Sequence, residues 1–156
     1  MIIIGYQGIG KSSVSGAYNN CIDLESSNFW HECRRPDDWY IYYCKIAVDL
    51  SKQGFTVFTS SHEVVRNYLL KYADETPIVC VFPSASLKDV WIERLRERYE
   101  KDPSVKNRKA LANAMYRYEE SINDMTLCGH LYYEIDDTDF ENGYDLMKVV
   151  KHLRAL

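Results

Sequence analysis

Gly5-Tyr6-Gln7-Gly8-Ile9-Gly10-Lys11-Ser12 carries the pattern G-x-x-x-x-G-K-S directly behind the apolar stretch Met1-Ile2-Ile3-Ile4. This is chemistry for holding phosphate. Glycines let the backbone curl until several N–H groups converge on one anion, and a helix that follows adds about half a positive charge at its start. The lysine of the pattern reaches β- and γ-phosphates, and the adjacent hydroxyl reaches a metal ion between them. The spacing therefore predicts a cradle formed by Gly8, Ile9, Gly10, Lys11, Ser12 and Ser13, with Lys11 on the phosphates and Ser12 on the metal.

Two further sets of residues are equipped to act on a phosphate. Asp23 and Glu25 stand two apart at the end of a short apolar run, so an extended chain points both carboxylates to one face. A carboxylate placed near an accepting oxygen suits phosphoryl transfer, and a solvated turn is the bland use of the same pair. Glu93-Arg94-Leu95-Arg96-Glu97-Arg98 sets Arg94 and Arg98 one helical turn apart on one face. A guanidinium can hold phosphate oxygens through two parallel hydrogen bonds, although the run reads equally as a solvated face of Glu–Arg pairs, above all at Arg96. Arg34 and Arg35 lie between the acidic pair and the next helix, beside Phe29 and Trp30, which stack on a base or pack in the core. Ser60 and Ser61 bind phosphate or cap a helix, and His62 reads as a first-turn surface residue.

These groups need elements that bring them together. Strand and helix patterns alternate along the chain. After the loop come a short helix over Ser12 to Tyr18 and a strand over Cys21 to Leu24. A helix is expected from about Pro36, with Asp37 and Asp38 in its first turn, to Gly54. Phe55 to Thr59 is the third strand, a helix spans Glu63 to Tyr72, and Ile78 to Phe82 is a fourth strand apolar enough to be buried on both faces. Ser86-Leu87-Lys88-Asp89 has capping-box form and predicts a helix to about Tyr99, broken by Lys101 to Ser104. Leu111, Met115, Tyr118, Ile122 and Met125 form an apolar stripe on a helix over Arg108 to Asp124. Leu131 to Ile135 is the fifth strand, and Leu146, Val149, Val150 and Leu153 mark the buried face of a last helix. Five strands separated by helices predict an α/β architecture, a three-layer, doubly wound, right-handed parallel sheet. Ligands bind such sheets beyond the carboxyl ends of the strands, where all the groups above lie.

The finer spacing Gly5-x-x-Gly8-x-Gly10-Lys11-Ser12 resembles the loop of nucleoside monophosphate kinases and of the shikimate and gluconate kinases similar to them. The resemblance is strongest over the first dozen residues. It implies the P-loop NTPase fold with sheet order 2-3-1-4-5, and transfer of the γ-phosphoryl group of ATP, with Mg2+, to a small acceptor. Asp23-Leu24-Glu25 is similar to the D-x-D of shikimate-type kinases, which implies Asp23 as base, acceptor ligand or metal ligand and Glu25 as its second. By the same resemblance Arg94 and Arg98 act as catalytic arginines leading into a short lid near residues 99–109, with about ten residues between the flanking helices. Arg34 and Arg35 fall in the acceptor-binding region. Asp136-Asp137-Thr138-Asp139 sits where the adenine is gripped, unless it is a polar turn capping the last helix. Thr59-Ser60-Ser61-His62 departs from the Asp that many nucleoside monophosphate kinases place there. The implied acceptor is a nucleoside or deoxynucleoside monophosphate, as in a phage-type deoxynucleotide kinase; the alternatives are a small metabolite and a regulatory NTPase without an acceptor.

Composition narrows the classes. The 156 residues suit one domain, and a net charge of −4 disfavours nucleic acid as a partner. Five cysteines without C-x-x-C spacing read as reduced thiols, and the apolar start is too short for a signal peptide or a membrane span, so a cytoplasmic protein is expected. A GTPase would carry N-K-x-D, which does not occur, and motor NTPases a hydrophobic strand ending in acidic residues, whereas the third and fourth strands end in Thr-Ser-Ser and Pro-Ser.

Overall fold

The computed structural model describes residues 1–29 and 34–156, so the expectation for Trp30 lies outside the described residues. Five parallel strands form one sheet: β1 (Ile2–Gly5), β2 (Cys21–Asp23), β3 (Thr56–Thr59), β4 (Ile78–Pro83) and β5 (Leu131–Ile135), in the order β2-β3-β1-β4-β5. β1 lies at the centre, with Ile3 opposite Phe58 on one side and Val79 on the other. That position explains its unbroken isoleucines: every residue of β1, β3 and β4 is buried, so no face needs polar side chains. β5 is an edge, and Leu131 and Tyr132 are exposed on it.

The helices are α1 (Lys11–Ala17), α2 (Trp39–Lys52), α3 (Glu63–Leu69), α4 (Lys88–Lys101), α5 (Val105–Thr126), α6 (Asp137–Glu141) and α7 (Leu146–Arg154). Right-handed crossovers in this strand order put α1 on one face, where α7 packs on it, and α2, α3 and the α4–α5 pair on the other. The chain is thus α/β, with its core between sheet and helices. Among the described residues no helix is long and apolar enough to cross a membrane. Cys21, Cys44, Cys80 and Cys128 are free thiols.

Several expected boundaries move, each for a physical reason. α2 starts at Trp39, because Pro36 accepts the Trp39 N–H in a preceding turn that also takes in Asp37 and Asp38. Ser86 caps nothing: its hydroxyl meets Ser84 at 2.7 Å and donates to Asp137 at 3.1 Å, and α4 begins after a 3-10 turn. The ten residues expected between the helices shrink to three, because α4 runs on to Lys101 and the Ser104 hydroxyl accepts the Asn107 N–H to start α5. Segment 99–109 is therefore the corner of a helical hairpin and not a loop. The stripe on α5 also shifts. Ala110 and Ala114 are buried, whereas Leu111 is half-buried and Met115 exposed: the buried face runs Asn107, Ala110, Ala114, Tyr118, Ile122 and Met125 at three- and four-residue steps, so small residues and not the larger apolar ones fill its first half.

Candidate active site

The loop from Gly5 to Gly10 leaves the carboxyl end of β1 and turns into α1. Gly8 and Gly10 have φ of 86° and 109°, a conformation that costs a side-chain-bearing residue about 1–2 kcal/mol. Lys11 Nζ folds back on the Gly5 carbonyl at 3.3 Å. Burial pulls its ammonium below the usual lysine range, against the pull of Asp23, while Lys106 and Arg98 add repulsion. A cation held like this gains by meeting an anion.

β2 delivers the carboxylates. Ser12 Oγ donates to Asp23 Oδ2 at 3.2 Å, and Lys106 Nζ donates to both oxygens of Glu25 at 2.9 Å. Burial raises the Asp23 carboxyl and the neighbouring Glu25 raises it further, against Lys11. Burial acts on Glu25 in the same direction, but Lys106 outweighs it and leaves Glu25 below its ordinary value. Burial thus dominates at Asp23 and the lysine at Glu25. The buried Tyr43 holds the ends of two strands in place, donating to the Leu24 carbonyl at 2.6 Å and accepting the Ser60 N–H at 2.8 Å. Phe29 packs edge-on against Tyr43, a core role.

The arginines divide. Arg94 Nε donates to the Gly8 carbonyl at 2.7 Å, and its guanidinium lies beside the rings of Trp91 and Tyr144. Arg98 faces the same cleft; burial lowers its pKa, Arg94 adds to the effect, and its buried Nε has no partner among the described residues. Arg96 pairs with Glu93 on the surface, at 2.7 Å. Arg35 lines the cleft with its guanidinium 3.9 Å over the Trp39 ring, whereas Arg34 is exposed and off the cleft wall. Ser60 and Ser61 cap no helix: the Ser60 hydroxyl meets His62 Nδ1 at 2.8 Å, and the Ser61 carbonyl accepts from Arg66. His62 is exposed, at the start of α3. Asp136 and Asp139 form a reciprocal capping box on α6, while Asp145 caps the last helix.

Lys11, Ser12, Asp23, Glu25, Arg35, Arg94, Arg98 and Lys106 open on one cleft of about 1120 Å³. Among the described residues nine lysines and arginines line it against five carboxylates, in a chain whose net charge is −4. Sequence reasoning missed the α5 side of that wall. Lys106, Lys109, Asn113, Arg117 and Ser121 recur at three- and four-residue steps on the face of α5 that lines the cleft. The periodicity was visible in the sequence, but the partner it faces was not. Among the described residues no cluster of three or more metal-ligating side chains occurs.

No protein-family model and no curated protein matches the chain. Among solved structures it is similar to a protein of Chloroflexus aurantiacus J-10-fl described as a "putative kinase", at 16% identity over 99% of this chain and 95% of that one, with a TM-score of 0.55. It is also similar to shikimate kinase of Bacteroides thetaiotaomicron, at 13% identity over 99% and 97% of the two chains, with a TM-score of 0.49. At such identities the likeness is one of fold, and the fold is the P-loop α/β sheet of order 2-3-1-4-5.

Proposed function

We propose that the chain is an ATP-dependent phosphotransferase that passes the γ-phosphoryl group to a nucleoside or deoxynucleoside monophosphate. The observation that carries this reading is the convergence of Lys11, Ser12, Asp23 and a charged Glu25 where the glycine loop meets a cationic cleft wall. The structural neighbour described as a kinase supports the reaction class. The surplus of basic groups supports an acceptor that brings its own negative charge.

The residues divide the work as phosphoryl transfer requires, by positioning and by charge stabilisation. Lys11 moves from the Gly5 carbonyl to the donor's phosphate oxygens, and Arg98, with its unpartnered Nε, steadies charge that builds on the transferred group. Ser12 and Asp23 offer adjacent hard oxygens, which fits Mg2+, an ion that takes one or two protein oxygens and completes its shell with phosphates and water. When bound, the metal would neutralise charge on the donor's phosphates.

Asp23 separates two acceptor classes. A monophosphate oxygen is already anionic and needs no base, so Asp23 then works on the metal side. An acceptor hydroxyl has a proton to lose, and Asp23 would take it. A coupled ADP-release assay over ribo- and deoxyribonucleoside monophosphates, sugar acids and hydroxy acids tests the reading. Turnover with a nucleotide is expected; turnover with hydroxyl compounds alone overturns the acceptor class. Nucleotide binding with no acceptor-dependent ADP release overturns the transferase.

A further inference from the structure

Three consecutive carbonyls of the glycine loop are each taken by a side chain from elsewhere in the fold. Trp91 Nε1 donates to Gln7 at 2.8 Å, Arg94 Nε to Gly8 at 2.7 Å and the Tyr144 hydroxyl to Ile9 at 2.6 Å. Trp91 and Arg94 stand one turn apart on α4, and Tyr144 lies between α6 and α7. Across a planar trans peptide, the carbonyl of one residue and the N–H of the next point in opposite directions. Pinning the oxygens of Gln7, Gly8 and Ile9 therefore fixes the N–H groups of Gly8, Ile9 and Gly10 on the other side. Among the described residues no acceptor takes those three N–H groups.

The three donors are themselves anchored. The Tyr144 ring stacks on Phe140 with centroids 5.2 Å apart, Trp91 is fully buried and meets Phe140 edge-on, and Arg94 lies against both Trp91 and Tyr144. Burial holds the Tyr144 phenol well above its ordinary range, so it stays a donor. Neither Trp91 nor Tyr144 lines the cleft. With glycine at positive φ at two of its positions, the loop has other backbone orientations within reach, and the straps select one.

We propose that Tyr144 and Trp91, with Arg94, are positioning residues that strap the loop's carbonyls outward and so preset its N–H groups for a phosphate chain. The proposal rests on reading the loop as a phosphate cradle, and it makes Arg94 a strap where the resemblance implies a catalytic arginine. Affinity is then set partly by a hydroxyl that never touches the ligand.

Tyr144→Phe removes that hydroxyl and leaves the ring in its stack. Calorimetric titration of the wild type, Y144F and Lys11→Ala with Mg-tripolyphosphate, a phosphate chain without base or sugar, and with Mg-ATP reads the strap directly. Y144F is expected to weaken both ligands by the same factor, about five- to tenfold, the worth of one buried hydrogen bond. Wild-type tripolyphosphate affinity in Y144F overturns the strap: with ATP weakened alone, Tyr144 serves the base, and with neither weakened, its bond only supports the fold. Lys11→Ala is expected to lose tripolyphosphate. Unchanged affinity in that variant sinks the cradle and the strap together, whereas a loss there beside wild-type behaviour in Y144F sinks the strap alone.

Discussion

Lys106 Nζ lies 2.9 Å from both carboxylate oxygens of Glu25, joining the first turn of α5 to the end of β2 across 81 positions of sequence. The Lys106 and Glu25 side chains are 61% and 32% exposed, so water screens the pair, and it adds less than about 1 kcal/mol to stability. Its effect is electrical. It holds Glu25 ionised beside Asp23, whose own carboxyl burial pushes upward.

Lys106→Met frees Glu25 to take up a proton and unsettles the division of labour with Asp23. Turnover is expected to fall about tenfold, in line with the loss of one charge contact at a transfer site, while the thermal midpoint stays within a few degrees. Steady-state kinetics beside a melting curve checks both; an unchanged kcat would leave the pair a surface ornament.

Gly8 and Gly16 should answer an alanine in opposite ways. At Gly8 a Cβ would meet Leu95 Cδ2 at 2.9 Å and the strap donor Trp91 Nε1 at 3.1 Å, on a backbone with φ of 86°. Gly8→Ala is expected to cost about 1–2 kcal/mol of stability and most of the nucleotide affinity. Gly16, inside α1 with nothing within 4 Å of its would-be Cβ, should gain about 0.5–1 kcal/mol on replacement by Ala. Denaturant titration of both variants, with ATP titration of the first, decides the matter.

The contrast between what was legible in the sequence and what was not follows the range of the interactions. β1 and β4 announced themselves because strands buried on both faces need apolar runs, β3 through its β-branched and aromatic residues, and the loop because its geometry demands glycine at fixed steps. Partners far away in sequence were invisible. Ser86 looked like a cap until Asp137, 51 residues on, claimed its hydroxyl. Lys106 fell within the segment read as a lid, with nothing local to pair it with Glu25, and of the neighbours Arg34 and Arg35 only the second lines the cleft. In the first half of α5 the larger apolar residues Leu111 and Met115 drew the stripe one position off, because the buried places there go to Ala110 and Ala114, whose small side chains carry little apolar signal.

His130 offers a pH test remote from the chemistry. It is buried, and its Nε2 lies 2.7 Å from the Arg66 carbonyl, which can only accept, so the neutral ring carries its proton there. Burial lowers its pKa, against that hydrogen bond. Unfolded histidine titrates near about 6.5, so below that pH the unfolded chain binds the proton more readily than the folded one. The stability the neutral ring contributes is complete above that point and is lost as pH falls toward the depressed folded value. Melting curves between pH 7 and pH 5 should fall less steeply for His130→Gln than for the wild type; parallel curves would remove His130 as a cause.

With only Asp102, Pro103 and Ser104 between them, α4 and α5 have no slack to move apart. α5 is interrupted at Arg117, and near its far end Arg66 holds it, Nη1 donating to the Asp124 carbonyl at 3.1 Å. Its near end grips Glu25, and its partner helix carries the donors to Gln7 and Gly8. One helical hairpin thus touches both walls of the cleft: its α5 arm meets Glu25 at the end of β2, and its α4 arm carries two of the three side chains that hold the glycine loop.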